Sequence, residues 1–516
     1  MIQGTTSDAG KSLVAAALCR ILSKKGIRVA PFKGQNMALN SFATLDGGEI
    51  GRAQALQAEA AGIEPTVDMN PVLLKPTGNA TSQVIVRGKP QKTLTARDYY
   101  REKSDLVEIV RNSLDLLREE YDVVIIEGAG SPAEINLRDE DIANMGVAKM
   151  ADSPVLLVGD IDRGGVFASL VGTLELLDDS EKRLVKGLII NKFRGDATLL
   201  DPGIAFLRER TGLPFLGTIP YIADLKIDSE DSLAFDGANF KKAHIGLLNE
   251  QDNKLDIAVI KLPHISNFTD TDALSNESCV NLRYIELGSP IGKTDCIIIP
   301  GTKSTIADLQ QLKETGTAAE IVALYRRFGV PVIGICGGYQ MLGRSIEDPY
   351  LVESRVASIK GLGLLDCKTV MTENKVTEQV AAEIRTPRVS GILKSAEGLP
   401  VDGYEIHMGE TIVGPGSAAA INIIKRGNET CAVCGGVISP DGAVLGTYLH
   451  GLFDNDGLRK AIINYLAKRK GITVSGDSVS YREFKNAQID RLASIVESSL
   501  DMEYVFGLLD PAAVKA

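Results

Sequence analysis

No stretch of the 516-residue chain stays apolar for the roughly 18 residues that crossing a bilayer requires. The opening residues, Met1-Ile2-Gln3-Gly4, are not a secretion signal, so the protein is expected in the cytoplasm, with no membrane partner. Basic residues are in deficit. With 56 Lys and Arg against 67 Asp and Glu, the formal charge of −11 argues against a surface that tracks nucleic-acid phosphates, and any anionic ligand needs a local basic pocket. Cysteine is sparse: seven residues, an odd number without framework spacing, read as reduced thiols. Cys431 and Cys434 have a zinc-like separation, but no second pair follows at the spacing a tetrahedral site needs. Histidine is scarcer still, at four, which narrows the choice of any acid–base group. Repeats and low-complexity tracts are missing as well.

What is present suits a large enzyme. The length favours more than one domain, 44% hydrophobic and 24% charged residues exclude a disordered or fibrous class, and 51 glycines suit many tight strand-to-helix turns. Short Val/Ile-rich runs at 123–126, 155–158 and 187–190 alternate with helix-patterned stretches and predict buried parallel strands as far as about residue 220. The pattern breaks over the polar, charge-rich residues 228–254. It resumes at 255–260, 296–299, 330–335 and 444–449, predicting a second open sheet. Residues 458–470 and 489–509 read as helices without a catalytic signal. The expected fold class is α/β with two doubly wound domains, divided as 1–235, a linker at 236–253, 254–455, and a helical C-terminal segment at 456–516.

Gly4-Thr5-Thr6-Ser7-Asp8-Ala9-Gly10-Lys11-Ser12 follows a short apolar strand and leads into an apolar-periodic helix at 13–22, the setting of a phosphate loop. Backbone N–H groups around Gly4, Thr6 and Gly10, with the helix N-terminus, form an anion cradle. Lys11 neutralises terminal phosphates and the Ser12 hydroxyl ligates Mg²⁺. Only three residues precede the loop, so either this first strand is weakened or the natural start lies upstream of Met1, and the upstream start is the expectation. Glu127 ends the strand at 123–126, at the sheet edge where ligands bind, and is placed to complete the Mg²⁺ shell. Asn191 ends the strand at 187–190, from where its amide would read the adenine edge. ATP and Mg²⁺ are thus the expected ligands, with no tightly bound organic cofactor.

Residues 330–335 run into Gly334-Ile335-Cys336-Gly337-Gly338, a nucleophile elbow with cysteine in the serine position. The sharp turn exposes the sulfur, and the helix that follows stabilises a thiolate. His450, at the end of the strand 444–449, is the expected base, with His407 as competitor. Gly301, in Pro300-Gly301-Thr302-Lys303-Ser304, and Gly337 are the expected oxyanion donors, with Tyr339 and Gln340 completing the glutamine-binding set.

The strings GTTSDAGKS and IIEGAG resemble dethiobiotin synthetase and its carboxylate-activating relatives, and GICGGYQ with GTYLHG resembles class I glutamine amidotransferases. Their fusion in this order, with KGQNMALNS, MNPVLLKPTG, EGAGSPAEINLRD, DIDRGGVF, INKFRGD, ISNFTD, PGTKST and YEIHMG, resembles the cobyric acid synthase family of cobalamin biosynthesis over nearly the whole chain. The resemblance implies an N-terminal amidoligase domain and a C-terminal glutaminase. The implied reaction amidates the b, d, e and g side-chain carboxylates of adenosylcobyrinic acid a,c-diamide, with ATP consumed and glutamine as nitrogen donor. It assigns Cys336 as nucleophile and His450 as its partner, and gives Asp141 a role toward the substrate carboxylate or phosphoryl intermediate. Many class I glutaminases carry Glu two residues after the histidine. Here Leu452 stands there, so a Cys–His dyad or a third group from elsewhere is implied, Glu405 among the choices. The alternatives are the a,c-diamide synthase, against which KGQNMALNS and EINLRD argue, another phosphate-loop amidoligase, and a positioning or regulatory ATPase, which needs no cysteine elbow. Oligomeric state is not legible in the sequence.

Overall fold

A computed structural model of the chain describes residues 1–77, 81–137, 141–227, 253–385, 391–474 and 480–509. All but the last residue of the expected linker, together with Arg138 and Asp139, lies outside them. The chain forms two compact units. The first comprises Met1–Ala38, Glu49–Asp228 and Phe484–Ala516; the second comprises Leu39–Gly48 and Ser229–Glu483.

In the first unit Ile2–Gly4, Val155–Asp160, Val185–Phe193 and Phe215–Pro220 are parallel neighbours in that order. Val29–Phe32 pairs in parallel with Val123–Ile126, and a bridge between Ile2 and Glu127 joins the two sets. These strands are mostly apolar because helices cover both faces. Helix Lys11–Lys24 buries Val14, Leu18, Ile21 and Leu22, and Ile489, Leu492 and Val496 of helix Tyr481–Ser499 join the same core. Arg20 and Asp490 close that contact at 2.6 Å. The chain then meets the sheet edge again, where Asp501 N–H donates to the Leu216 carbonyl. A second, smaller sheet carries Gln35–Met37, Val72–Pro76, Thr81–Val86 and Lys89–Thr95.

In the second unit Val280–Glu286, Leu255–Lys261, Cys296–Ile299, Val332–Ile335 and Val444–Thr447 run parallel, and the antiparallel strands Glu429–Ile438, Ala418–Arg426 and Cys367–Ile384 extend the sheet. The apolar run read as one strand to residue 449 is two. After Thr447 the chain leaves its parallel neighbour, and Leu449–His450 pairs instead with Tyr404 and Glu405 of Pro400–Val413. This change of partner sets His450 opposite Tyr404, on the strand that contains His407. The α/β class with two open sheets is as the sequence predicts. Among the described residues no helix is long and apolar enough to cross a membrane.

Candidate functional site

The first unit presents a phosphate-binding site at the C-terminal edge of its sheet. Strand Ile2–Gly4 ends in the glycine loop, and Gly10 initiates helix Lys11–Lys24 from the left-handed region at φ 95°. A side chain at Gly10 would run into the Asn191 amide, 2.1 Å from an ideal Cβ. Asn191 Nδ2 donates to the Ala9 carbonyl at 2.8 Å, and its Oδ1 accepts from the Lys192 N–H at 2.8 Å. The amide expected to face adenine is therefore engaged with the loop itself. Lys11 is buried, its Nζ donating at 3.0 Å to both Thr6 O and Gly130 O, so it ties the loop to the glycines after Glu127.

Glu127 is fully buried and holds donors on both oxygens. Oε1 accepts from Ser12 Oγ at 2.7 Å and Lys33 Nζ at 2.9 Å, while Oε2 accepts from Gln57 at 2.6 Å and Gln54 at 3.2 Å. The two residues expected to share Mg²⁺ thus meet. A hydroxyl beside a carboxylate, at the end of a phosphate loop, is a donor set that suits that ion once phosphate oxygens fill its remaining positions. Lys33 and the two glutamines are partners that strand-end reasoning alone does not assign to the glutamate. Asp141 accepts backbone N–H bonds from Ala143, Asn144 and Gly146 at 2.8–2.9 Å, so it organises the turn into helix Met145–Ala151.

In the second unit Cys336 occupies the sharp turn between strand Val332–Ile335 and helix Gly337–Leu342, at φ 52° and ψ −109°. A cysteine in that region carries strain on the order of 1–3 kcal/mol, which the surrounding packing must hold. The packing explains the glycines. A Cβ on Gly338 would lie 2.0 Å from the Ile299 carbonyl, and one on Gly337 would lie 2.7 Å from the Thr302 side chain. The elbow therefore sits directly against the loop after strand Cys296–Ile299. Gly301 is close to His450: its Cβ would stand 3.1 Å from the imidazole Cε1.

Cys336 Sγ lies 3.4 Å from the Ile406 carbonyl, and its side chain is also a hydrogen-bonding neighbour of His450. On the far side of the ring, His450 Nδ1 meets Asp270 Oδ2 at 2.7 Å, and the other carboxylate oxygen takes the Gly451 N–H at 2.8 Å. Burial alone would lower the His450 pKa, but the charge and hydrogen bond of Asp270, with Cys336 beyond, outweigh it and push it up to about 10. Asp270 rides on the short helical turn Phe268–Thr271, which Asn267 opens at φ 52°. Sequence reasoning left the third group open, and Asp270 is the carboxylate on His450; it lies inside the string ISNFTD, 180 residues from its partner.

Glu405, the other carboxylate considered for that place, turns to Arg426, with contacts of 2.8–3.0 Å. His407 stacks on Tyr448 at 3.7 Å, and burial, followed by the charge of Arg426, lowers its pKa to about 3, so it remains neutral. Gln340 donates to Met408 O at 2.8 Å and to the Tyr448 hydroxyl at 3.2 Å, and Tyr339 packs edge-on against Tyr448. Both side chains are buried in the wall behind the elbow. Cys431 and Cys434 carry no metal-like cluster, and none of three or more His, Cys, Asp or Glu residues occurs among the described residues.

Comparison with known proteins adds to this geometry. Residues 1–234 match the CobQ/CobB/MinD/ParA nucleotide binding domain, and residues 256–458 match the CobB/CobQ-like glutamine amidotransferase domain. The chain is 52% identical over 509 residues to a cobyric acid synthase of Sorangium cellulosum, covering 97% of this chain and 96% of that one. It is 49% identical over 511 residues to one from Caldanaerobacter subterraneus, covering 99% and 98%, and 48% identical over 520 residues to one from Pelotomaculum thermopropionicum, covering 99% and 96%.

Proposed function

Since the chain belongs to the cobyric acid synthase family, we propose that it converts the b, d, e and g side-chain carboxylates of adenosylcobyrinic acid a,c-diamide to amides, using one ATP and one glutamine for each. Membership makes it a glutamine-hydrolysing carbon–nitrogen ligase of cobalamin biosynthesis, with a corrinoid as its small-molecule substrate. The observation that carries the reading is the strained Cys336 elbow beside an imidazole held on Asp270, in a chain that also closes a phosphate loop around a buried lysine.

A carboxylate resists ammonia because its carbon is poorly electrophilic and its oxygen a bad leaving group. Transfer of the γ-phosphoryl group of ATP gives an acyl phosphate, which ammonia attacks with departure of phosphate. Lys11 and the loop N–H groups bind the nucleotide phosphates, and Ser12 and Glu127 would hold Mg²⁺, which supplies charge neutralisation when bound. Asn191 fixes the loop through Ala9, and Asp141 fixes the turn into helix Met145–Ala151.

In the second unit the Cys336 sulfur attacks the side-chain amide carbon of glutamine. His450 carries its proton at neutral pH, so it protonates the departing nitrogen, and water then cleaves the thioester to glutamate. Gly301, in the loop after strand Cys296–Ile299, and Gly337, the first residue of the helix after Cys336, are the proposed oxyanion donors, with Tyr339 and Gln340 shaping the wall behind them.

Separated half-reactions test the scheme. Cys336→Ala abolishes glutamine-driven amidation and leaves amidation from added ammonia, whereas Lys11→Ala reduces amidation from either source by on the order of 10²–10³. Equal loss of ammonia-driven amidation in Cys336→Ala would contradict it.

A further inference from the structure

Residues Leu39–Gly48 lie in sequence within the nucleotide-binding half, yet they belong to the second unit, while the residues before and after them belong to the first. Inside the second unit this segment reaches both supports of the catalytic imidazole. The Phe42 ring packs 5.1 Å from that of Tyr404, and Tyr404 stacks on His450 at 5.2 Å with 20° between the planes. Ala43, Tyr404 and Ile406 form a small buried cluster with Phe42 packed against it, and Ile406 supplies the carbonyl that faces Cys336 Sγ. On the other side the Ser41 N–H donates to Asn267 Oδ1 at 3.1 Å. Asn267 opens the turn that presents Asp270. A third contact, from Gln379 Nε2 to the Ala43 carbonyl at 3.1 Å, fixes the segment against strand Cys367–Ile384.

An imidazole held by one hydrogen bond can still tilt about it. Asp270 sets the direction of Nδ1, and the Tyr404 ring limits the tilt that aims Nε2 at the sulfur. From these contacts we infer that Ser41–Ala43 is a positioning element for glutamine hydrolysis, contributed by the activating half of the chain, with Phe42 acting through Tyr404 and Ser41 acting through Asn267. The inference rests on the glutaminase reading of Cys336 and His450. Because both ends of the segment continue into the first unit, the aim of the imidazole depends on residues outside the glutaminase sequence proper.

The test compares full-length wild type, Phe42→Ala, Phe42→Tyr and Asn267→Gly, the last keeping the left-handed backbone while removing the amide acceptor. Steady-state glutamine hydrolysis is measured across pH, with ammonia-driven amidation of the corrinoid as the internal control. Phe42→Ala and Asn267→Gly lose roughly tenfold to a hundredfold in kcat for hydrolysis, the scale of a misplaced catalytic group. KM for glutamine changes little, the pH dependence of kcat shifts, ammonia-driven amidation persists, and Phe42→Tyr restores turnover. Unchanged hydrolysis in both variants, or parallel loss of ammonia-driven amidation, overturns the inference. Failure of the wild type to hydrolyse glutamine would instead overturn the glutaminase reading beneath it.

Discussion

Asp270 Oδ2 and His450 Nδ1 lie 2.7 Å apart, and neither side chain is more than 2% exposed. The second oxygen of the same carboxylate binds the Gly451 N–H, so the acid fixes the ring and the backbone that follows it. A buried carboxylate on Nδ1 leaves Nε2 as the nitrogen that faces substrate and stabilises the imidazolium. The residue two positions beyond the histidine, Leu452, has no part in this and is buried in the core.

Replacing Asp270 by Asn removes the charge and disturbs the tautomer with little change in volume. Glutamate release by Asp270→Asn is expected to fall by on the order of 10³–10⁴, as for loss of the acid in a comparable triad. Amidation from added ammonia continues. Wild-type glutaminase activity in this variant would remove Asp270 from the mechanism.

Glu405 supplies the complementary case. Burial raises its pKa, and the charge and hydrogen bonds of Arg426 oppose that rise. Because its carboxylate serves Arg426 rather than His450, Glu405→Gln is expected to keep glutamine hydrolysis within a few-fold of wild type in a steady-state assay. A loss as deep as that of Asp270→Asn would show that the two acids share the role.

His450 also predicts a pH dependence of stability. Its pKa of about 10 in the fold lies above the value of 6.5 for a free imidazole. Its contribution is therefore complete below pH 6.5 and is lost as the pH rises through 10. Urea midpoints measured across that window should fall more steeply for wild type than for Asp270→Asn; parallel curves would contradict the ion pair.

The parts of the site that are contiguous in sequence were legible there. A strand, a glycine-flanked cysteine and a helix make an elbow wherever they occur, and Gly4 to Ser12 with its helix makes a phosphate loop, because backbone sterics and N–H placement are local. Strand-end logic also brought Glu127 to Ser12. Asp270 was hidden because an acid in a loop looks like a solvated charge until the fold brings a histidine to it. Asn191, expected at the end of a strand at 187–190, lies inside strand Val185–Phe193, and the approach of Ala9, which engages its amide, is a tertiary contact. The segment at 39–48 carries no change of composition to show that it leaves one unit for the other. In the same way, the apolar run through residue 449 hides the change of partner after Thr447, since both halves are buried.

The central claim is that a sulfur in one unit and a phosphate loop in the other move glutamine nitrogen onto a corrinoid. Mass spectrometry of the product formed from adenosylcobyrinic acid a,c-diamide, ATP and glutamine labelled with ¹⁵N at the side-chain amide tests it most directly. Four labelled nitrogens per corrinoid are expected with wild type and none with Cys336→Ala. An unlabelled corrinoid from active wild-type enzyme, or label retained in Cys336→Ala, would contradict it.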